Sequence, residues 1–248
     1  MPYLWSFICV LLLACLPAQA ANRSLTILTE EYPPISFARD GMLTGMAVDV
    51  VREIQRRVGN QDDIQLQPWL RAYRSLQEQP DTVLFTVART AEREKQFKWV
   101  GPIAPINGGI YAVRARWTGP NNLDEARKAK SILVVRGWFT QQQLETLGFT
   151  NLYPVNDPPQ MAKMMRNGRA PLMATDTATA ALQWRQAGGQ PGDLVLVQVF
   201  SQNSSYIAFN RGTPDVVVQA WQAALDAMKK DGSYAEIFRR WLPELPQP

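Results

Sequence analysis

Short β-rich runs alternate with amphipathic helical stretches along nearly the whole chain, and that alternation limits the fold more than any single motif. Residues 25–29 (LTILT) form a β-rich run, and Pro33-Pro34 stop it from continuing as a ladder. After the turn signal Asp40-Gly41, residues 45–58 place Val48, Val51, Ile54 and Val58 at spacings of three and four. That spacing predicts a helix, which Gly59-Asn60 ends. Residues 83–87 read as a second strand, 90–96 (TAEREKQ) as a short charged helix, and 109–114 and 132–135 as further strands. Asp157 and Pro158 open another helix as N-cap and first position. Met161, Met164 and Met165 share a face of it, a spacing of core packing rather than of a ligand box. Past strands at 194–200 and 206–210, Thr213 and Pro214 start a helix with the stripe Val217, Trp221, Leu225 and Met228. Asp231-Gly232 closes it, and Ser233-Tyr234-Ala235-Glu236 reads as a capping box opening a last helix through Ile237 and Trp241. Strands alternating with helices predict an α/β protein with largely parallel sheets.

The first 20 residues stand apart. Residues 4–14 (LWSFICVLLLA) are apolar, Pro17 breaks the run, and Ala18-Gln19-Ala20 offers small residues for cleavage. This predicts a secretory leader over residues 1–20, too short to span a bilayer, which needs about 20 apolar residues. Leu12-Leu13-Ala14-Cys15 is an imperfect lipobox, so a lipid anchor at Cys15 and a retained anchor are the alternatives. Both cysteines, Cys9 and Cys15, lie in the leader, and the sequence has no histidine. The expected mature chain therefore has no Ser-His-Asp or Cys-His machinery, no disulfide framework and no imidazole or thiolate metal site. No cofactor or metal is expected. The net charge of +4 is spread thinly, which argues against nucleic acid as a partner. The nucleophile-elbow, P-loop and zinc-protease patterns are also missing.

The pieces also fall in the order of a known family. Residues 31–37 (EYPPISF), Gly41 and residues 43–50 (LTGMAVDV) resemble the first strand, loop and helix of the bacterial extracellular solute-binding proteins of family 3. Asp81, Thr86, Thr90, Arg93, Trp99 and Pro102 keep the family's register through its carboxylate-binding segment. Gly168 with Asp176 is similar to its second-lobe motif, and residues 206–212 and 231–241 to its return strand and closing helices. The resemblance covers about residues 25 to 241. It implies a two-lobed, type II periplasmic-binding-protein fold with two crossover strands, near 109–113 and 206–210, and a ligand cleft between the lobes. On that pattern the first lobe spans 21–113 and 204–248, and the second 114–203.

The resemblance also nominates a site. Arg93 stands at the family's carboxylate-binding arginine, where a planar fork that stays charged suits a ligand carboxylate; read alone, TAEREK is a solvated helix face. Asp176 matches the aspartate that holds the ligand ammonium, and it also suits an N-cap before residues 177–182. Tyr32 and Trp69 are candidate walls for the ligand side chain, with core packing as the other reading. Arg71 could add a second positive charge to the cleft, with surface placement as the other reading. Thr86 and the backbone at Ala88 align with small hydrogen-bonding positions, although Ala88 lacks the hydroxyl often found there. Gly137-Trp138-Phe139-Thr140 replaces a small Gly-Thr-Thr-like turn, which puts Trp138 and Thr140 at a helix start suited to an anion. The expected function is a periplasmic, monomeric binding protein that closes on a small polar amino acid or related zwitterion and presents it to an ABC permease in the inner membrane. The alternatives are a dehydratase-like enzyme on the same scaffold and a sensory or orphan binding module.

Overall fold

A computed structural model describes residues 24–243; the expected leader at 1–20 lies outside the described residues. Strand Thr26–Thr29 (β1) leads into a hairpin of Phe37–Arg39 (β2) and Met42–Thr44 (β3), then helix Met46–Val58 (α1). The helix buries Val48, Val51 and Ile54, as its spacing requires, and Gly59 ends it in the left-handed conformation at φ 75°. Strand Ile64–Leu66 (β4), helix Trp69–Glu78 (α2) and strand Thr82–Ala88 (β5) follow. Every residue of β5 is buried, because it runs through the middle of its sheet.

Strand Phe97–Pro105 (β6) carries the chain out of this first unit and Gly108–Val113 (β7) into a second. There Leu123–Lys128 (α3), Ile132–Val135 (β8), Phe139–Thr146 (α4) and Leu152–Val155 (β9) follow. Pro158–Arg166 (α5), Leu172–Asp176 (β10), Ala180–Gln186 (α6) and Leu194–Ser201 (β11) complete it. Asp157 caps α5 through the amide of Gln160, with Pro158 at its first position. Strand Ser204–Asn210 (β12) returns to the first unit, where Asp215–Asp231 (α7) and Ser233–Trp241 (α8) close the described chain.

Two five-stranded sheets result, ordered β4-β1-β5-β12-β6 and β11-β7-β10-β8-β9. They are mixed rather than largely parallel. β1 pairs in parallel with β4 and β5, whereas β12 runs antiparallel to β5 and β6. The second sheet repeats the pattern, with β7 antiparallel to β10 and β11. The reason is the double crossing: β6 goes out where β12 comes back, so the paired strands must oppose. Strand β7 belongs to the second sheet, so the chain crosses at residues 106–107 and 202–203, not after residue 113 as expected. Two short connections therefore join the lobes, the arrangement of a hinge.

Three local expectations give way. Residues 91–96 are successive turns, not a helix, because Arg93 is drawn into the interior. Pro214, at ψ 139°, takes the N-cap of α7, and the Thr213 hydroxyl is buried without a partner. Ser233 is itself the first residue of α8, behind Gly232, so no capping box forms. The stripe of α7 is as read: Val217, Trp221, Leu225 and Met228 are buried, with Trp221 edge-on to Phe209 at 5.2 Å.

Candidate ligand-binding cleft

At the end of β5 the backbone departs from regular pleating. Thr86 has φ 70°, unusual for a β-branched residue, and the register with β12 skips from Phe85 to Val87 there. The bulge turns Thr86 and Ala88 toward a space between the two sheets. Glu30, Tyr32, Trp69 and Arg93 line it from the first lobe, Trp138 and Phe139 from the second, and Ile106 from the crossing segment. The cavity left among them is about 20 Å³, room for roughly one water molecule.

Arg93 is the floor of this cleft. Its side chain is 1% exposed, lying over the rings of Trp69 at 5.3 Å and Tyr73 at 5.0 Å. Nη2 donates to the Gly137 carbonyl at 3.1 Å and to Gln142 Oε1 at 2.8 Å, while Nε is buried with no partner. It forms no ion pair among the described residues. Removing a charge from water costs several kcal/mol even after relaxation. Two ring faces and two neutral acceptors return about 1–2 kcal/mol each. Burial accordingly pushes the Arg93 pKa down, opposed by the charges of Tyr73, Glu30 and Glu92.

One acidic side chain, Glu30, lines the cleft, and a second, Asp176, stands behind it. Burial drives the Glu30 carboxyl up to about 8, against the lowering effects of the Trp138 indole and the Arg93 charge. Trp138 Nε1 donates to Glu30 Oε2 at 2.9 Å, and its ring meets Tyr32 edge-on at 5.1 Å. Asp176, at the end of β10, accepts from the amides of Ala178 at 2.9 Å and Thr179 at 3.0 Å, and from the Thr179 hydroxyl. Tyr32 also reaches it. Burial raises the Asp176 pKa, while Thr179, Tyr32 and the two amides lower it. The same burial, with the Asp176 charge added, raises the phenol of Tyr32.

Of the residues nominated from the sequence, the fold brings Tyr32, Trp69, Thr86, Ala88, Arg93 and Trp138 together around the cavity. Asp176 stands behind Tyr32, its oxygens already engaged by the start of α6. Thr140 is fully buried on α4 with an unpartnered hydroxyl. Arg71 is exposed: α2 turns Trp69, Ala72 and Leu76 inward, and a residue two places from Trp69 faces away.

Residues 25–244 match the model of the bacterial extracellular solute-binding proteins, family 3. The chain belongs to this family. It is 22% identical over 223 residues to the L-cystine-binding protein TcyA of Bacillus subtilis, covering 89% of this chain and 81% of that protein. It is 24% identical to the L-cystine-binding protein TcyJ of Escherichia coli over 213 residues, 85% of this chain and 79% of that protein. A histidine kinase sensor domain with similarity to periplasmic binding proteins superposes with a TM-score of 0.80 at 20% identity, covering 90% of this chain and 98% of that one. An ancestral arginine-binding protein bound to arginine gives 0.78 at 21%, covering 88% and 98%. These likenesses show a type II periplasmic-binding-protein fold with two lobes.

Five residues of the cleft escaped the sequence reading: Glu30, Tyr73, Ile106, Phe139 and Gln142. Glu30 had a usable signal, a carboxylate just past the C-terminal end of a strand, where α/β sheets present ligand groups. Tyr73 lies one helical turn after Trp69 and stacks on it at 5.1 Å. Phe139 and Gln142 carried no local signal, since only the packing of α4 on the opposite lobe gives them a role.

Proposed function

We propose that this chain is a periplasmic binding protein that captures a small zwitterion, an amino acid or close relative, and delivers it to an ABC importer without transforming it. The observation that carries this reading is Arg93: a buried guanidinium between the lobes, with only neutral acceptors and an orphaned Nε. Such a group is completed by an anion, and a carboxylate fits its fork. On the other side of the cavity Glu30 offers a carboxyl oxygen as acceptor for an ammonium end. The naming of relatives for L-cystine and arginine agrees with an amino-acid ligand. Export by cleavage of residues 1–20 completes the reading, with the protein acting as a monomer. The ligand-bound form is then what the permease recognises.

A thermal-shift screen against amino acids, polyamines, small peptides and organic acids, followed by calorimetry, tests it. A true ligand at 100 times its Kd adds about 2.7 kcal/mol of stability. Conversion of a bound compound into product would overturn the reading in favour of an enzyme. The likeness to a sensor domain supports a second reading, in which the ligand-bound form reports to a receptor. Uptake of labelled ligand that depends on this protein separates the two.

A further inference from the structure

The second-lobe turn that closes the cleft presents the polar groups a bound zwitterion would present. Gly137 O and Gln142 Oε1 point at the Arg93 guanidinium, as ligand carboxylate oxygens would, at 3.1 and 2.8 Å. Trp69 Nε1 also donates to Gly137 O, at 2.9 Å. On the other side Trp138 Nε1 donates to Glu30, as a ligand ammonium would, at 2.9 Å. Its indole and the ring of Phe139 occupy the room between these poles, which is why only about 20 Å³ is left. Each of these contacts joins one lobe to the other.

We propose that residues 137–142 act as a built-in stand-in for ligand, holding the lobes closed in its absence, with Trp138 the plug that an incoming zwitterion displaces. The inference rests on the reading of this cleft as the ligand site. Chemistry explains how a ligand wins the exchange. The stand-in offers Arg93 neutral oxygens and leaves Arg93 Nε unpaired, whereas a carboxylate brings full charge and further lone pairs. The arrangement makes apparent affinity depend on the closed, plugged population: the larger that fraction, the weaker the binding measured. In this role Trp138 competes with ligand; as a cleft wall it would assist.

The test needs no ligand. Small-angle scattering of the purified, ligand-free protein is compared with the curve of the closed structure, for wild type and for Trp138→Ala/Gln142→Ala. Wild type should match the closed curve, and the double variant should show a larger radius of gyration. A wild type that is already open overturns the proposal, as does a double variant that stays closed. Trp138→Phe with Gln142→Ala keeps an aromatic ring in the core and removes the same two polar contacts. It carries the test if the first variant does not melt cooperatively. A failed ligand screen would strike the proposed function while leaving this scattering result intact, so the two failures are distinguishable.

Discussion

The guanidinium of Arg93 donates to the side-chain oxygen of Gln142 at 2.8 Å, across the cleft from the turns after β5 to α4. A buried charge on one lobe is thereby tied to a neutral amide on the other. The position of the lobes is coupled to whatever Arg93 holds. On the proposed function, exchange of partners at this one group would serve both recognition and closure.

Arg93→Met keeps much of the side-chain volume between Trp69 and Tyr73 and removes the charge. The ligand carboxylate would then be buried unpaired, and losing such a partner costs about 3–5 kcal/mol, a few hundred- to a few thousand-fold in affinity. Calorimetry with the best compound from the screen should show binding lost, while the ligand-free melt stays cooperative. Normal affinity would remove Arg93 from the site.

Glu30 gives a pH dependence of defined sign. Its folded pKa is about 8, above the ordinary value of 4.5. Between those values the native state holds a proton that the unfolded chain has released. Unfolding free energy therefore falls as pH rises through that window, by up to about 1.4 kcal/mol per pH unit from this group. Glu30→Gln, which keeps an acceptor for Trp138, should remove that slope. Denaturant melts from pH 4.5 to 9 should show the variant gaining on wild type until about pH 8, then holding a constant lead. Parallel curves would contradict the burial of this carboxyl.

Asp176 is tested by stability rather than by binding. Asp176→Ala strands the amides of Ala178 and Thr179 and the Thr179 hydroxyl in a buried place. At about 1–3 kcal/mol for a buried donor left unsatisfied, and with partial relaxation, a loss of about 3 kcal/mol is expected. Asp176→Asn keeps an acceptor for the amides and should lose about 1 kcal/mol. Equal urea midpoints for the two variants would deny Asp176 its part in starting α6.

Gly45 is a position that admits no side chain. At φ 131° an added Cβ would lie 2.4 Å from the Ile35 carbonyl oxygen. That carbonyl is fixed by the amide of Ala47 at the start of α1. The neighbour is backbone and cannot step aside. Gly45→Ala should destabilise the protein by about 3 kcal/mol or more, read from the urea midpoint. A change under 1 kcal/mol would mean the α1 entry reshapes freely.

Features with local causes are legible in the chain's own pattern. The helical spacing of Val48, Val51 and Ile54, the Asp157-Pro158 start of α5 and the stripe of α7 are set within a few residues, so pattern reading finds them. The sequence also nominated Arg93 from the motif order and Tyr32 and Trp69 as aromatic walls, and all three line one cavity. Tertiary structure decided everything that depends on a distant partner. TAEREK reads as a solvated face, yet Arg93 is buried because Gly137 and Gln142, 44 and 49 residues away, supply its acceptors. Trp138 read as part of a helix start facing an anion, and it instead donates to Glu30, 108 residues away, and fills the cleft. The mixed sheets follow from the double crossing, and Arg71 points outward because α2 commits its other face to the core. Helix periodicity and capping are short-range energies written in adjacent residues. Burial and charge pairing belong to the folded whole, because the groups that set them meet only when the two lobes come together.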